Sequence, residues 1–599
     1  MRVCDIVADY IYREHIKDVF MISGGGLMFL TDGLACNSRL NKVCCHHEQA
    51  AAMAAAAYAK YQGMGCAYVT TGCGGTNAVT GVLHAWQDHV PCIFISGQCK
   101  RKETLGYLNL PIRQAGVQEA DIVSIVSSIT KYAVMVERAE DILYHLEKAF
   151  YLARNGRPGP VWLDIPMDVQ SAETEGILMR HFDTSQLQAA KTDMNDQELQ
   201  GLIYDLSHAQ RPVMIAGHGI RLAGAVEEFQ TLVHRYHIPV VCSRLGTDVL
   251  PTKDELNIGR IGNKGTRAAN FALQNADLAI AVGSRLSVSS TGQEYSYFAR
   301  EAKVIAIDID KYEHLKNTVH IEQVIQADAK KAVSRLLEGP LEKDYSTWAE
   351  QCLGWKQKYP VCLPEYYEDD THGINMYVFV EELSKYLKDD SVVVTDAGSA
   401  VYVPAQGIQT YHKKQRYITS GAQAEMGFTL PGAIGVCAAR GGSEVIGITG
   451  DGSFQMNLQE LQTLVYHQYP VKLFVWNNDG YLSIRATQNK FFNGRLIGTD
   501  STSGVSFPEI GRIADAYGIT YFKMESIRDI ALYMPRIMAE TGPVLCEVKI
   551  IRDQEVVPAV SSKKSEDGRM VSKPIEDMYP FLPRDEFYAN MIVKPVEEE

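Results

Sequence analysis

No apolar run in the 599 residues comes near the roughly 20 needed to span a bilayer. Basic excess is also lacking: 58 Lys and Arg face 72 Asp and Glu, for a formal net charge of -14. Such a surface repels phosphate backbones and anionic lipid, so nucleic acid and membranes are not expected partners. The 13 cysteines contain no CxxC pair, which removes the usual zinc spacing. They read as buried reduced thiols of a cytoplasmic protein, the adjacent Cys44 and Cys45 included. The opening MRVCDIVADYIYREHIKD is charged throughout and reads as an amphipathic helix, not a secretion signal. Neither a short repeat nor an obvious catalytic triad is present.

What remains is ordinary globular material, 46% apolar and 22% charged. At about 150 residues per domain, the length predicts three or four domains. Short apolar runs ending in Gly or Asp recur, separated by helix-length segments: 66–72, 92–97, 212–219, 277–284, 303–310, 391–398, 444–452 and 471–479. Continuous β-branched runs bounded by turn residues suit strands buried on both faces. Their alternation with helices predicts an α/β chain of doubly wound parallel sheets. Ligands then gather beyond the carboxyl ends of the strands.

The runs fall into three groups, predicting domains at 1–175, 190–340 and 365–550. Polar stretches at about 170–195 and 340–370 read as linkers. An arm at 551–599 follows; its Met578, Tyr579, Phe581 and Leu582 predict docking on the body. The first and last thirds look architecturally alike.

Four segments carry chemistry. Gly450-Asp451-Gly452-Ser453 closes one run and Asn477-Asn478 closes the next, with Asp451 and Asn478 27 apart (478 minus 451). A helix over 457–468 fills that gap and brings the two strand ends side by side. A carboxylate, an amide oxygen and a nearby carbonyl are hard oxygen donors, suited to Mg²⁺ with a diphosphate. The glycines let backbone approach phosphate. A lone GDG is usually only a turn; the Asn pair at this spacing makes the metal–diphosphate reading much stronger. His47-Glu48-Gln49 opens an Ala-rich helix, where a glutamate also favours the helix dipole. The stretch 70–77, TTGCGGTN, is an anion-friendly strand-to-helix turn. The stretch 419–428, TSGAQAEMGF, is a loop entering a closely packed helix.

Together these segments resemble the thiamine-diphosphate-dependent enzymes, in particular the acetolactate synthase/pyruvate oxidase-like group, over about residues 1–550. The resemblance implies three α/β domains: pyrimidine-binding, central nucleotide-binding-like, and diphosphate- and Mg²⁺-binding. Glu48 then matches the glutamate on the pyrimidine ring. Asp451, Asn478 and the Gly480 carbonyl match the metal ligands. Gly398, Ser399, Gly450, Gly452 and Ser453 match loops on the coenzyme. Met426 matches the wedge that bends it, and the Ala424 carbonyl accepts from its amino group. Gln118 matches a glutamine in the partner subunit's active-site wall. Glu48, shielded from water and protonated, would favour the imino tautomer whose nitrogen takes the thiazolium C2 proton. The expected partners are a 2-keto acid donor, a carbonyl acceptor and further copies of the chain, a homodimer or homotetramer with shared sites.

The group's pattern is broken in three places. Ser289 replaces the arginine that grips the second keto acid, Thr487 replaces a pocket tryptophan, and Val117 replaces a phenylalanine. A hydroxyl cannot supply a bidentate clamp, so a roomier acceptor pocket is expected, with His46, His47, Arg113 and Gln114 as candidate polar groups. Ser287 and Val288 replace two acidic residues of the central domain. Gly217-His218-Gly219, Gly262-Asn263-Lys264-Gly265 and Asp308-Ile309-Asp310 still resemble the group's flavin-binding edge, which makes FAD a further possible cofactor. The leading expectation is a carboligase that decarboxylates a 2-keto acid such as pyruvate and transfers the acyl unit to an aldehyde or ketone. A 1,2-diketone hydrolase and a non-catalytic regulatory paralogue are the alternatives.

Overall fold

The computed structural model describes residues 1–187, 192–564 and 570–596. Three six-stranded sheets, parallel throughout, carry the chain. The first contains Asp18–Met21, Asn41–Cys44, Gly65–Val69, Cys92–Gln98, Tyr132–Met135 and Val161–Pro166. Numbered by chain order within the sheet, these strands lie 2-1-3-4-6-5. The third contains Val392–Thr395, Arg416–Thr419, Val445–Gly450, Val471–Asn477, Thr520–Met524 and Val544–Lys549, in the same order. The likeness of the outer thirds is therefore one of topology. The middle sheet differs. Pro212–Ala216, Val240–Cys242, Asn257–Arg260, Leu278–Val282, Lys303–Asp308 and Gln323–Gln326 lie 3-2-1-4-5-6, the dinucleotide-binding order.

The two like domains share one apolar core. The Ala-rich helix Glu48–Gln62 lies against the helix Thr429–Ala439, and small side chains let the backbones touch. A Cβ on Gly435 would stand 2.1 Å from the carbonyl oxygen of Ala54, so that position admits only glycine without movement. The central domain has cores of its own on the two faces of its sheet.

Some expectations need correction. The stretch 340–370 is not a plain linker: Ser346–Lys358 is a helix that buries Trp348, Cys352 and Trp355 against the central domain. Those residues, spaced by four and three, are a helical stripe. The expected helix over 457–468 is split into a 3-10 turn, Gln455–Glu460, and an α-helix, Leu461–His467, with Asn457 at a non-helical φ of -134°. Thiols Cys36, Cys44 and Cys73 are exposed rather than buried.

The arm docks as expected on Met578, with Leu582 packed partly buried against the central domain, but not on the two aromatics. Ile575, Met578 and Phe587 are buried, while Tyr579 and Phe581 are 41% and 45% exposed. Its contacts run along the central domain, where Asn270 bonds the Ile575 carbonyl and Arg300 pairs with Glu576. The linker residues 188–191, which include the expected boundary at 190, and arm residues 565–569 and 597–599 lie outside the described residues. No described helix is long and apolar enough to cross a membrane.

Candidate active site

Glu48 is the first residue of its helix because His47, in extended conformation, caps it: the His47 Nδ1 accepts the Gln49 amide. That ring nitrogen is thereby committed to capping rather than free for an acceptor. Glu48 is buried, and Asn77 donates to its Oε2 at 2.9 Å. A Cβ on Gly74 would stand 3.3 Å from the other carboxylate oxygen. The HEQ segment and the glycine-rich turn are thus brought together. The amides of His46 and His47 donate to Glu460 Oε1, which ties this entrance to the third domain.

The metal-ligand candidates sit where two neighbouring strands end. Gly450 pairs in register with Trp476, so Asp451 and Asn478 emerge side by side. Asp451 is buried and accepts three amides, from Gly452, Asn478 and Gly480, at 2.7, 3.2 and 3.0 Å. Burial pushes its carboxyl up to about 6, against the pull of those amides. Gly480 has φ +130°, and a Cβ there would stand 2.0 Å from the Thr499 carbonyl oxygen. Its own carbonyl accepts the Leu482 amide and keeps a second lone pair. This donor set is oxygen only and suits a hard cation.

The other candidates surround this turn. Gly398 caps the helix Ser399–Gly407, and Ser399 is buried. A Cβ on Gly450 would point into open space, whereas one on Gly452 would strike the Tyr481 ring. The Ser453 hydroxyl donates to Asp396 at 2.5 Å and accepts the Gly427 amide, so it braces the 419–428 loop. Ala424 holds φ +51° and Met426 is half-buried. Gln118 is exposed on the first domain, its carbonyl lying over Gly72. The three departures stand on separate elements: Ser289 is bonded to Ser287, Thr487 is bonded to the Ser483 carbonyl, and Val117 is 84% exposed.

Sequence reasoning missed the supports. Asp396 is fully buried and accepts Thr449 and Ser453; burial raises its carboxyl pKa against those bonds. Asp88 accepts Lys60 Nζ at 2.6 Å and the amides of Gly421 and Ala422. Burial opposes the Asp88 charge, but Lys60 and His84 outweigh it and hold the carboxyl below its usual range. His84 Nδ1 lies 2.6 Å from Glu425 Oε1. Arg485, 1% exposed, bonds the carbonyls of Asn478, Asp479 and Arg552 and the Asp553 carboxylate. Most of these pairings have no local signature, since apart from Arg485 with Asn478 and Asp479, and His84 with Asp88, the partners are far apart in sequence.

A cavity of about 600 Å³ opens beyond the carboxyl ends of the central strands. Its walls come from all three domains, among them Asp88, His89, Arg285, Asp308, Tyr402 and Ala424. It lies where the strand order reverses. There Gly217 donates to the Val282 carbonyl, and Gly219 to that of Gly283.

Three family models match in order: the thiamine pyrophosphate enzyme N-terminal TPP binding domain over 1–125, the central domain over 199–336, and the C-terminal TPP binding domain over 396–548. The acetolactate synthase large subunit of Lactococcus lactis is 35% identical over 555 residues, 91% of this chain and 92% of that protein. Chloroplastic acetolactate synthase 2 of Nicotiana tabacum is 31% identical over 575 residues, 93% of this chain and 83% of that protein. The acetolactate synthase isozyme 3 large subunit of Escherichia coli is 31% identical over 535 residues, covering 86% and 88%. With matching models on all three domains and relatives of 30% identity or more over most of its length, this chain belongs to the thiamine pyrophosphate enzymes.

Proposed function

We propose that the protein is a thiamine-diphosphate- and Mg²⁺-dependent carboligase that decarboxylates a 2-keto acid, with pyruvate as donor, and transfers the acyl unit to an aldehyde or ketone. The observation that carries this is the pairing of a buried Glu48 with an oxygen-only metal turn on two domains of identical strand order. The relatives named above are acetolactate synthases. We assign pyrimidine binding to 1–175, a nucleotide to 190–340, and the diphosphate and Mg²⁺ to 365–550. The coenzyme, when bound, supplies the carbanion and the electron sink for C–C cleavage. The chain's own residues do the rest. Asp451, Asn478 and the Gly480 carbonyl would hold Mg²⁺, and the loops carrying Gly398, Ser399, Gly450 and Gly452 would face the phosphates. Glu48 would present its carboxyl to the pyrimidine ring, Ala424 would offer its carbonyl to the amino group, and Met426 would pack against the coenzyme.

Glu48 and the metal turn serve different sites in this reading, so the working unit is a homodimer or a larger assembly. Leu110, Ile112 and Val117, all exposed in the segment that leads to Gln118, accord with that reading. FAD is a candidate for the central cavity, whose strand order suits a dinucleotide. A cytoplasmic location accords with 13 free thiols. The test is incubation of the coenzyme-loaded protein with pyruvate and a panel of aldehydes and ketones. A 2-hydroxyketone product supports ligation. An open-chain acid from a 1,2-diketone makes it a hydrolase, and no coenzyme binding makes it a non-catalytic paralogue.

A further inference from the structure

Two arginines are buried among the described residues, Arg485 and Arg260, and they are satisfied very differently. Arg485 spends its guanidinium on a carboxylate and three carbonyls. Arg260, 2% exposed, makes no side-chain hydrogen bond or ion pair with any described residue, and its Nη1 is buried without a partner. Its nearest compensation is the Tyr402 ring, 5.7 Å from guanidinium carbon to centroid, at the outer reach of a cation–π contact.

Arg244 approaches the same ring at 5.2 Å. It donates to the Gly421 carbonyl at 2.6 Å and lies 3.5 Å from the Tyr402 hydroxyl, while its Nε is buried and unpartnered. Among the described residues no carboxylate pairs with either arginine. Burial, and then the neighbouring Arg244, lower Arg260 to about 10. A charge enclosed as Arg260 is, beside a like charge and without a counter-ion among the described residues, is costly. The acids on the adjoining cavity wall do not neutralise them: Asp88, Asp308, Glu313 and Asp328 each bond elsewhere. Arg244 and Tyr402 line that cavity, and the carbonyl that Arg244 holds is three residues before Ala424.

We propose that Arg244 and Arg260, flanking Tyr402, form a subsite for a phosphate-type anion at the end of the cavity next to the Ala424 loop. Two guanidinium groups with most of their ten N–H donors uncommitted suit a tetrahedral dianion better than one carboxylate. The inference rests on the carboligase reading for its meaning: the phosphate belongs either to the acceptor substrate or to a dinucleotide on the central sheet.

The test uses protein saturated with thiamine diphosphate and Mg²⁺, with saturation verified first, so that a failed coenzyme site is recognised separately. Calorimetric titration with inorganic phosphate is expected to show saturable binding. Arg260→Met and Arg244→Met are each expected to weaken it roughly ten-fold or more. If Arg260→Met does not fold, Arg244→Met and Arg260→Lys decide. FAD retention and the KM for glyceraldehyde 3-phosphate against glyceraldehyde then separate the sources. Loss of FAD in the variants assigns the anion to a dinucleotide; retained FAD with a raised KM for the phosphorylated aldehyde alone assigns it to the acceptor. Absence of saturable phosphate binding at millimolar concentration, or equal affinity in wild type and variants, overturns the proposal.

Discussion

A single carboxylate oxygen of Asp451 accepts the backbone amides of both Asn478 and Gly480, at 3.2 and 3.0 Å. Two turns more than twenty residues apart are thereby locked together. Asp451→Ala is expected to abolish metal-dependent coenzyme retention, weakening it at least ~100-fold. Thiamine diphosphate binding measured with and without a chelator checks this; equal affinity in both conditions counts against the assignment.

Among the described residues the Glu48 carboxyl bonds the Asn77 amide and faces the glycine turn, so its replacement leaves the apolar core untouched. Glu48→Gln is expected to slow exchange of the coenzyme C2 proton by about 10²–10⁴-fold while the melting temperature holds. An unchanged exchange rate refutes the role.

Arg485 clamps the Asn478–Asp479 turn to the start of the arm. Arg485→Met is expected to weaken Mg²⁺-dependent coenzyme binding by roughly 10-fold or more, as loss of a ligand's support does. Asp553→Asn is expected to do much less, because Asp553 is 57% exposed and the three carbonyl bonds survive. Fluorescence titration of coenzyme into both variants distinguishes them.

Gly435 sets the distance between the helices of the two like domains. Gly435→Val is expected to destabilise the protein by about 1–3 kcal/mol or more, since the Ala54 backbone cannot yield freely. Urea denaturation measures the loss.

Asp164 is fully buried, bonded by Ser96 and Gln98, and burial raises its carboxyl to about 7 despite those bonds. The folded state therefore holds this proton more tightly than the unfolded chain does. The resulting stability is complete below the ordinary aspartate value near ~4 and is lost as pH rises toward 7. Asp164→Asn is expected to flatten this decline, and melting temperatures of both proteins from pH 5 to 8 check it. Parallel curves sink the assignment.

All eight apolar runs picked out in the sequence fall on strands of the three sheets. The outermost strand at each edge of every sheet was not among them. Edge strands such as Asn41–Cys44 are short and half solvated, so their side chains mix polar and apolar character without a clean period. The helix carrying Trp348 and Trp355 was readable from its spacing and was passed over because polar residues surround it. In the arm, aromatic character suggested Tyr579 and Phe581, whereas the buried anchor is Ile575, packed beside Gly292.

Strand and helix preferences, the alternation that makes parallel sheets, and the chemistry of Glu48, Asp451 and Asn478 belong to the sequence itself. They depend on neighbours a few residues away or on one strand-helix-strand unit of fixed length. Which groups meet across domains was decided only by the tertiary structure: His84 with Glu425, 341 residues apart, and Arg485 with Asp553, 68 apart. The isolation of Arg260 is of the same kind. A charge is costly only once packing has removed its water, and nothing local in the chain specifies which arginine will be enclosed without a partner.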